Sequence, residues 1–236
     1  MLAGPRYRGR DPERPFVAVD ATTRVLDEAD LPALRAALRP AFAGFRPRSV
    51  VFWSSRLPHA WPGCGADKRD VAGPLVELAA RPRPGELSLE VAADLGFYPR
   101  YEQVHHEHVA AEPEHALHTR LETREELADL VDQGLVFDVT VDGRWAGIVA
   151  ARRAALRGLR GFEIVELLLD PAVRGHGYGR HLSSALAAQL LARHDSTGAD
   201  RFLVGTIHAD NRRAYRAALA AGRHDVGGEV VVPLTP

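Results

Sequence analysis

The sequence predicts an α/β protein in which helices pack on a mixed sheet. Two apolar runs, 164–169 and 202–207, have the length of buried strands, and a helical pattern follows each of them. A hairpin precedes the first run, because the segment 135–151 consists of two strand-like stretches around the turn dipeptide Asp142-Gly143. The order of hairpin, strand, helix, strand, helix and strand is typical of a mixed α/β sheet.

The other elements of the second half have clear boundary signals. Thr123 and Glu126 have the spacing of a capping box, and Gly134 ends the helix that they begin. A further helix begins near His181, where leucines recur at helical spacing. Two short strands are predicted near the end of the chain, at 224–226 and 230–232.

The first half has weaker signals. Residues 1–15 are rich in Arg, Pro and Gly and are predicted to be a poorly ordered arm. Asp30 is placed to cap a helix whose apolar residues recur at helical spacing. The sequence also predicts strands at 16–19 and 49–53, a short helix at 71–80, and a segment at 87–91 that fits no single class.

Composition limits the class of protein. The 236 residues carry a net charge of −1, which gives no basic field for nucleic acid. A single cysteine excludes a disulfide framework within the chain. No apolar run approaches the length of a membrane span, and the first residues lack the apolar core of a signal peptide. We therefore expect a cytoplasmic protein without membrane or nucleic-acid partners.

The segment RGHGYG, residues 174–179, is the most informative stretch of the chain. Its glycines lie where a strand passes into a helix, and exposed N–H groups at a helix N-terminus bind anions such as phosphate. A Walker A loop needs Lys and then Ser or Thr after its last glycine, but Arg180 and His181 follow here. A dinucleotide fingerprint needs a third glycine where Arg180 stands. The pattern that remains is R-x-x-G-x-G, although a plain glycine-rich turn is the alternative.

The pattern Arg174, Gly177, Gly179 resembles the pyrophosphate loop of the GNAT superfamily of acyl-CoA-dependent N-acyltransferases. A second motif supports the resemblance, because members commonly show an Asn, an Ala three residues on and a Gly eleven residues on. This chain has them at Asn211, Ala214 and Gly222, again after a predicted strand. The resemblance covers 101–236 and implies a mixed, mostly antiparallel sheet flanked by helices.

The resemblance also implies a donor and an acceptor. Acetyl-CoA would be the co-substrate, an amine would be the acceptor, no metal is expected, and a homodimer is a frequent arrangement. The strand residues Leu167, Leu168 and Leu169 would offer backbone groups to the pantetheine arm and an N–H to the oxyanion. Asn211 would contact the pantetheine side. The pyrophosphate would be held by the loop residues Arg174, Gly175, His176, Gly177, Tyr178, Gly179 and Arg180.

The general base has three candidates. Glu166 interrupts the buried strand, where a carboxylate is costly unless it is partnered or functional, and burial would raise its pKa toward a useful range. Glu163 competes with it; in a regular strand the two face opposite sides. His208 follows the second buried strand. Each also has a structural explanation: an ion pair for the glutamates and a helix cap for His208.

The sequence departs from the family at two positions. A Tyr that can protonate the thiolate is common seven residues after the Asn, but Ala218 stands there. An aromatic residue usually follows the last Gly, but here it is Arg223. Tyr215 lies one helical turn before Ala218 and could reach the same sulfur, or it could pack on the sheet.

Several features leave alternatives open. The run of histidines at 105–108 is better explained as an exposed strand than as a metal site, and Cys64 lacks a recognisable base. Residues 1–100 form an additional α/β region, which is a degenerate copy of the GNAT-like half, an unrelated lobe or an extension. The competing functions are a non-catalytic acyl-CoA-binding or regulatory protein and a binding protein for another phosphate ligand.

Overall fold

The computed structural model describes residues 1–113, 120–193 and 201–234. They form two compact units. The first contains Met1–Asp70, His208–Asp210 and Val226–Pro236, and the second contains Val71–Ile207 and Asn211–Asp225. Three strands, β4 (Gly65–Pro74), β9 (Phe202–His208) and β10 (His224–Pro233), contribute residues to both units. The predicted boundary at residue 100 therefore lies inside the second unit.

The first unit is built on a four-strand arrangement in the order β1-β2-β3-β10. Its other strands are β1 (Leu2–Tyr7), β2 (Pro15–Ala21) and β3 (Ser49–Ser54), and its helix is α1 (Leu31–Ala41). The pair β1–β2 is antiparallel, β2–β3 is parallel and β3–β10 is antiparallel. The core contains one face of α1 and residues of β2, β3 and β10, among them Leu34, Val50, Phe52 and Val232.

The structure corrects the prediction that residues 1–15 form a poorly ordered arm. Residues Leu2–Tyr7 form a strand that pairs antiparallel with β2. Pairing of this kind needs backbone N–H and C=O groups rather than apolar side chains, so composition does not reveal it. Pro5 is compatible with the strand because β1 lies at the edge of the arrangement.

The second unit contains a mixed, mostly antiparallel set of strands in the order β9-β8-β7-β6-β5. The neighbours from β5 to β8 pair antiparallel, and β8 pairs parallel with β9. The strands are β5 (Leu87–Val91), β6 (Val136–Val141), β7 (Arg144–Leu156), β8 (Leu159–Leu169) and β9 (Phe202–His208). The helices are α2 (Leu75–Ala79), α3 (Tyr98–Ala111), α4 (Arg124–Asp132), α5 (Gly179–Arg193) and α6 (Arg212–Ala220).

Most predicted signals of the second half are confirmed. The capping box at Thr123 and Glu126 begins α4, and Gly134 adopts a positive φ of 67° after it. Asp142 and Gly143 turn the hairpin with φ values of 50° and 72°. No helix in the described part of the chain has both the length and the apolar character needed to cross a membrane.

Three predicted elements differ in the structure. The helix predicted at 71–80 begins only at Leu75, because the residues up to Pro74 complete β4 and Pro74 is extended, with a ψ of 129°. The histidines at 105–108 lie on α3 rather than on a strand. The two short strands predicted near the end of the chain are one continuous strand, β10.

Arg223 is a buried cation in the second unit. It is 6% exposed, and its Nε atom has no hydrogen-bond partner among the described residues. Burial lowers the pKa of this guanidinium to about 10, so it stays charged at neutral pH. A Cβ atom at Gly205 would lie 3.0 Å from the Nη1 atom of Arg223, so the glycine leaves room for the guanidinium.

We expect Arg223→Met to raise the free energy of unfolding by about 1–2 kcal/mol, because an apolar side chain of similar length removes an incompletely partnered buried charge. Urea unfolding of the wild type and the variant measures the change. Arg144→Met is the matched control, since Arg144 is exposed and its replacement should stay within about 0.5 kcal/mol. A loss of stability in Arg223→Met would show that the guanidinium is fully compensated.

Candidate functional site

The strands β8 and β9 part after a short pairing. Gly161–Glu163 pair with 202–204, but β8 continues to Leu169 and β9 to His208. Leu167, Leu168 and Leu169 remain paired with β7 through Val149, Ile148 and Gly147. In a strand that is paired on one side only, every second residue directs its N–H and C=O groups toward the unpaired side. The parting therefore makes the end of β8 an edge that offers backbone groups.

The loop after β8 leads directly into the N-terminus of α5. Asp170 accepts a hydrogen bond from the Ala172 N–H at 2.9 Å and so fixes the first turn after the strand. Gly175 and Gly177 have φ values of 83° and 85°, which other residues rarely adopt. The helix then begins at Gly179 and runs for 15 residues. Its first N–H groups have no partner within the helix and create a positive end.

The edge of β8, this loop and the first turns of α6 surround a cavity of about 650 Å³. Most of the residues predicted to hold the donor line it: Leu167, Leu168, Leu169, Arg174, Gly175, Gly177, Tyr178, Gly179, Arg180 and Asn211. His176 is not among the lining residues, and its Nδ1 atom lies 3.0 Å from the Arg174 carbonyl oxygen. The volume is in the range of small-molecule sites.

The wall of the cavity is rich in cations. Arg174, Arg180, Arg213 and Arg216 all line it, and Glu112 forms an ion pair with Arg213 at 2.8 Å. The sequence did not predict Arg213 and Arg216 as site residues. They lie on α6, and their position beside the loop depends on how α6 folds back toward α5. The excess of positive charge suits an anionic ligand.

Asn211 and Arg174 both also have structural contacts. The Asn211 side chain caps α6 by accepting a hydrogen bond from the Ala214 N–H at 3.0 Å. The Arg174 Nε atom donates to the Leu169 carbonyl at 2.8 Å, which connects the loop to the end of β8. Desolvation lowers the pKa of Arg174. These contacts fix the lining residues in place.

Glu166 has the most perturbed carboxylate of the site. Its Oε2 atom accepts a hydrogen bond from the Tyr101 hydroxyl at 2.7 Å, and its Oε1 atom accepts one from the Leu167 N–H at 2.8 Å. Burial of the carboxyl raises its pKa to about 7, although both hydrogen bonds act in the opposite direction. The nearby Glu122 carboxylate contributes to this rise. A carboxylate with this pKa can both take up and release a proton near neutral pH.

Sequence reasoning missed Tyr101. This residue is fully buried on α3, and its hydroxyl also accepts a hydrogen bond from the Glu122 N–H at 3.0 Å. It lies at the predicted boundary between residues 1–100 and the GNAT-like region 101–236. The aromatic residues Tyr98 and Tyr101 at helical spacing were the available signal, but only the packing of α3 shows their partner.

A bulge in β8 overturns the expectation that Glu163 and Glu166 face opposite sides. Ala150 pairs with Glu166 and Ala151 with Ile164, so Val165 is an extra residue in β8. Glu163 pairs with Arg152, two residues after Ala150 on β7. Residues that pair directly share a face, so both glutamates lie on one face of the sheet.

Glu163 differs from Glu166 in its partner. Arg152 forms an ion pair with Glu163, with its Nη2 atom 2.6 Å from Oε2 and its Nε atom 2.8 Å from the same oxygen. Of the two glutamates, Glu166 therefore has the environment that suits proton transfer.

Tyr215 and His208 have other partners. The Tyr215 hydroxyl donates a hydrogen bond to Asp225 Oδ2 at 2.6 Å, and Tyr215 is not among the lining residues of the cavity. His208 belongs to the first unit, whereas every lining residue belongs to the second. Its Nδ1 atom accepts from the Asp210 N–H at 3.3 Å, so its Nε2 atom carries the proton and donates to Asp67 at 3.0 Å.

The histidine run does not form a metal site. His105, His106 and His108 lie on α3, where His105 is buried and His108 lines the cavity. Within residues 1–113, 120–193 and 201–234, no group of three or more His, Cys, Asp or Glu side chains is arranged to hold a metal ion.

The raised pKa of Glu166 has a consequence for stability. The folded state binds the proton more tightly than the unfolded chain, whose carboxyl titrates near 4.5, so the wild type loses stability as pH rises from about 4.5 to 7. Glu166→Gln removes this loss. We expect the variant to gain about 2 kcal/mol relative to the wild type between pH 5 and pH 8.

Urea unfolding of both proteins at the two pH values measures this difference. Glu163→Gln is the comparison variant, because it replaces the carboxylate on the same face that is ion-paired with Arg152. An equal effect of Glu166→Gln at both pH values would contradict a raised pKa at this site.

A family model and two solved structures resemble this chain. The family model described as the acetyltransferase (GNAT) family matches residues 101–222. A GNAT-family acetyltransferase from Colwellia psychrerythraea is 11% identical, with 99% of this chain and 85% of that chain covered and a TM-score of 0.54. A GCN5-related N-acetyltransferase from Sphaerobacter thermophilus is 15% identical, with 99% and 76% covered and a TM-score of 0.54.

At these identities the solved structures show a shared fold. A search of curated protein sequences finds no match. The family model covers more than half of the chain, including both glycine-containing motifs and Glu166. The chain therefore belongs to the GNAT acetyltransferase family.

Proposed function

We propose that this protein is an N-acetyltransferase that moves an acetyl group from acetyl-CoA to an amine of a small molecule or a protein. One arrangement supports the proposal above all: the cation-lined cavity at the β8 edge lies beside a strand that carries Glu166, a carboxylate with a pKa of about 7. The cavity suits the anionic donor, and the carboxylate suits an acceptor that must lose a proton.

The donor site follows from the chemistry of CoA, whose pyrophosphate is anionic and whose pantetheine arm carries amides. The N–H groups of the loop 175–180 and the positive end of α5 suit the pyrophosphate. The four cavity arginines add charge-assisted contacts. The free edge of β8 at Leu167–Leu169 suits the pantetheine amides, as in strand addition.

Acyl transfer requires a neutral amine and a stabilised oxyanion. We assign Glu166 as the general base, because a carboxyl with a pKa of about 7 is largely able to accept a proton at pH 7 to 8. A backbone N–H of the β8 edge would hold the oxyanion. Glu163 remains a second candidate but is ion-paired with Arg152. We assign neither the thiolate proton to Tyr215 nor the role of base to His208, since both hold other partners.

A second candidate function is non-catalytic acyl-CoA binding. It is favoured by Ala218, a buried alanine at the position where the family often has a tyrosine acid. This candidate predicts binding of CoA without turnover of any amine. A protein for another phosphate ligand would instead bind other nucleotides and ignore CoA.

Calorimetric titration of acetyl-CoA into the purified protein tests the donor. We expect micromolar binding, and ATP and NAD should give no heat. Binding of the nucleotides with no response to acetyl-CoA would show that the loop serves another anion. Micromolar binding without turnover across a panel of amines would favour the regulatory function.

Gly177→Asp should abolish acetyl-CoA binding, because a carboxylate would enter the cavity where the pyrophosphate is expected and because the backbone φ of 85° disfavours a side chain. The loss should exceed 100-fold in Kd, or about 3 kcal/mol. Gly143→Asp is the matched control, since Gly143 also has a positive φ and open space around it but lies in the hairpin turn. Unchanged affinity in Gly177→Asp would move the donor site elsewhere.

Glu166→Gln should leave acetyl-CoA affinity within about threefold and reduce kcat by roughly 100-fold or more, the usual contribution of a general base. Steady-state kinetics with an accepted amine measures kcat, and calorimetry measures the affinity. Glu163→Gln serves as the comparison on the same face of the sheet. If Glu163→Gln loses activity while Glu166→Gln keeps it, the roles of the two glutamates are exchanged.

A further inference from the structure

The hydroxyl oxygen of Tyr101 takes part in two hydrogen bonds, one with Glu122 and one with Glu166. Its hydroxyl accepts a hydrogen bond from the Glu122 N–H at 3.0 Å and lies 2.7 Å from Glu166 Oε2. A phenol has one proton to give. Because the amide supplies its own proton to the phenol oxygen, the phenol proton must point to Glu166. Burial and the Glu166 charge raise the pKa of Tyr101, so it remains a donor at every relevant pH.

The peptide that polarises Tyr101 is itself held in place. Tyr98, one helical turn earlier on α3, donates its hydroxyl to the Glu122 carbonyl at 3.1 Å. The rings of Tyr98 and Tyr101 pack edge to face with their centroids 5.6 Å apart. The two tyrosines therefore fix the Glu122 residue through its C=O and its N–H. Only Tyr101 also contacts Glu166.

Two hydrogen bonds oppose the effects that disfavour the negative charge of Glu166. Glu122 disfavours its negative charge, and the carboxyl is buried. Arg120 forms ion pairs with Glu126 and Glu122, and Arg152 forms one with Glu163. Within the described residues, the Tyr101 hydroxyl is the side chain that donates a hydrogen bond to Glu166; the remaining donor is the Leu167 N–H.

We propose that Tyr101 is a positioning residue, whose hydroxyl stabilises the carboxylate form of Glu166 and holds its Oε2 atom in a fixed orientation. This inference rests on the proposed function for its catalytic consequence, namely that Glu166 is available as a base at neutral pH. The hydrogen bond itself does not depend on that function. The titration of Glu166 can therefore be measured whether or not an amine substrate is known.

Carbon-13 NMR of protein labelled at the glutamate carboxyl carbons follows the titration directly, and Glu166→Gln identifies the signal. We expect Tyr101→Phe to raise the pKa of Glu166 by about one to two units, the effect of losing one charge-assisted hydrogen bond. Tyr98→Phe is the matched control, because it removes the other hydroxyl of the pair and leaves the donor to Glu166 in place. It should move the pKa by less than about 0.3 units.

Equal titration of Glu166 in the wild type and in Tyr101→Phe would overturn the proposal. Should Tyr101→Phe fail to fold, site-specific 3,5-difluorotyrosine at position 101 keeps the ring and the hydroxyl and makes the phenol a stronger donor. The pKa of Glu166 should then fall below that of the wild type, and an unchanged value would overturn the proposal equally.

In assays with an accepted amine, we expect the acidic limb of the pH profile of kcat/KM to shift in Tyr101→Phe by as much as the pKa of Glu166 measured by NMR. The limb should not shift in Tyr98→Phe. A shifted NMR titration with an unshifted limb would remove Glu166 as the base while keeping the hydrogen bond. The failure of the proposed function and the failure of this inference thus give different results.

Discussion

At Val165 the strand β8 contains one residue more than its partner β7 can pair with. A strand that carries an extra residue bends and twists, and its regular alternation of faces is interrupted. The pairing of β8 with β9 ends at Glu163, just before this point, whereas beyond it β8 stays paired with β7. The common face of Glu163 and Glu166 depends on this irregularity, and the free backbone edge beside the cavity follows it along β8.

The same strand brings two opposite electrostatic environments close together. On the cavity side, helix ends and arginines concentrate positive charge where an anionic donor is expected. At Glu166, burial and a neighbouring carboxylate oppose negative charge, and Tyr101 with the Leu167 N–H moderates that effect. One region is thus suited to binding an anion and the other to accepting a proton. Separating these tasks along one strand lets each be tuned without disturbing the other.

The unit also contains a buried charge that no proposed step uses. Arg223 stands where the family usually has an aromatic residue, and Gly205 leaves room for its guanidinium. Arg223 is buried and Glu166 is partly buried, and the two residues differ in their partners. Glu166 has two hydrogen-bond donors, whereas the Nε atom of Arg223 has no acceptor in the described part of the chain. We therefore expect removal of the two charges to affect the protein differently: stability at Arg223, and both stability and turnover at Glu166.

The sequence by itself determined the local features of the second half. Turn residues, capping residues and apolar periodicity act over a few neighbours, so the hairpin, α4, the loop 174–179 and the cap at Asn211 could be predicted. The first half was less accessible, because β1 and β5 are held by backbone pairing with distant strands. Only the tertiary structure decided the bulge at Val165, the contact of Tyr101 with Glu166 and the engagement of Tyr215 by Asp225. Each depends on which residues from separate elements meet, and one-dimensional spacing does not contain that information.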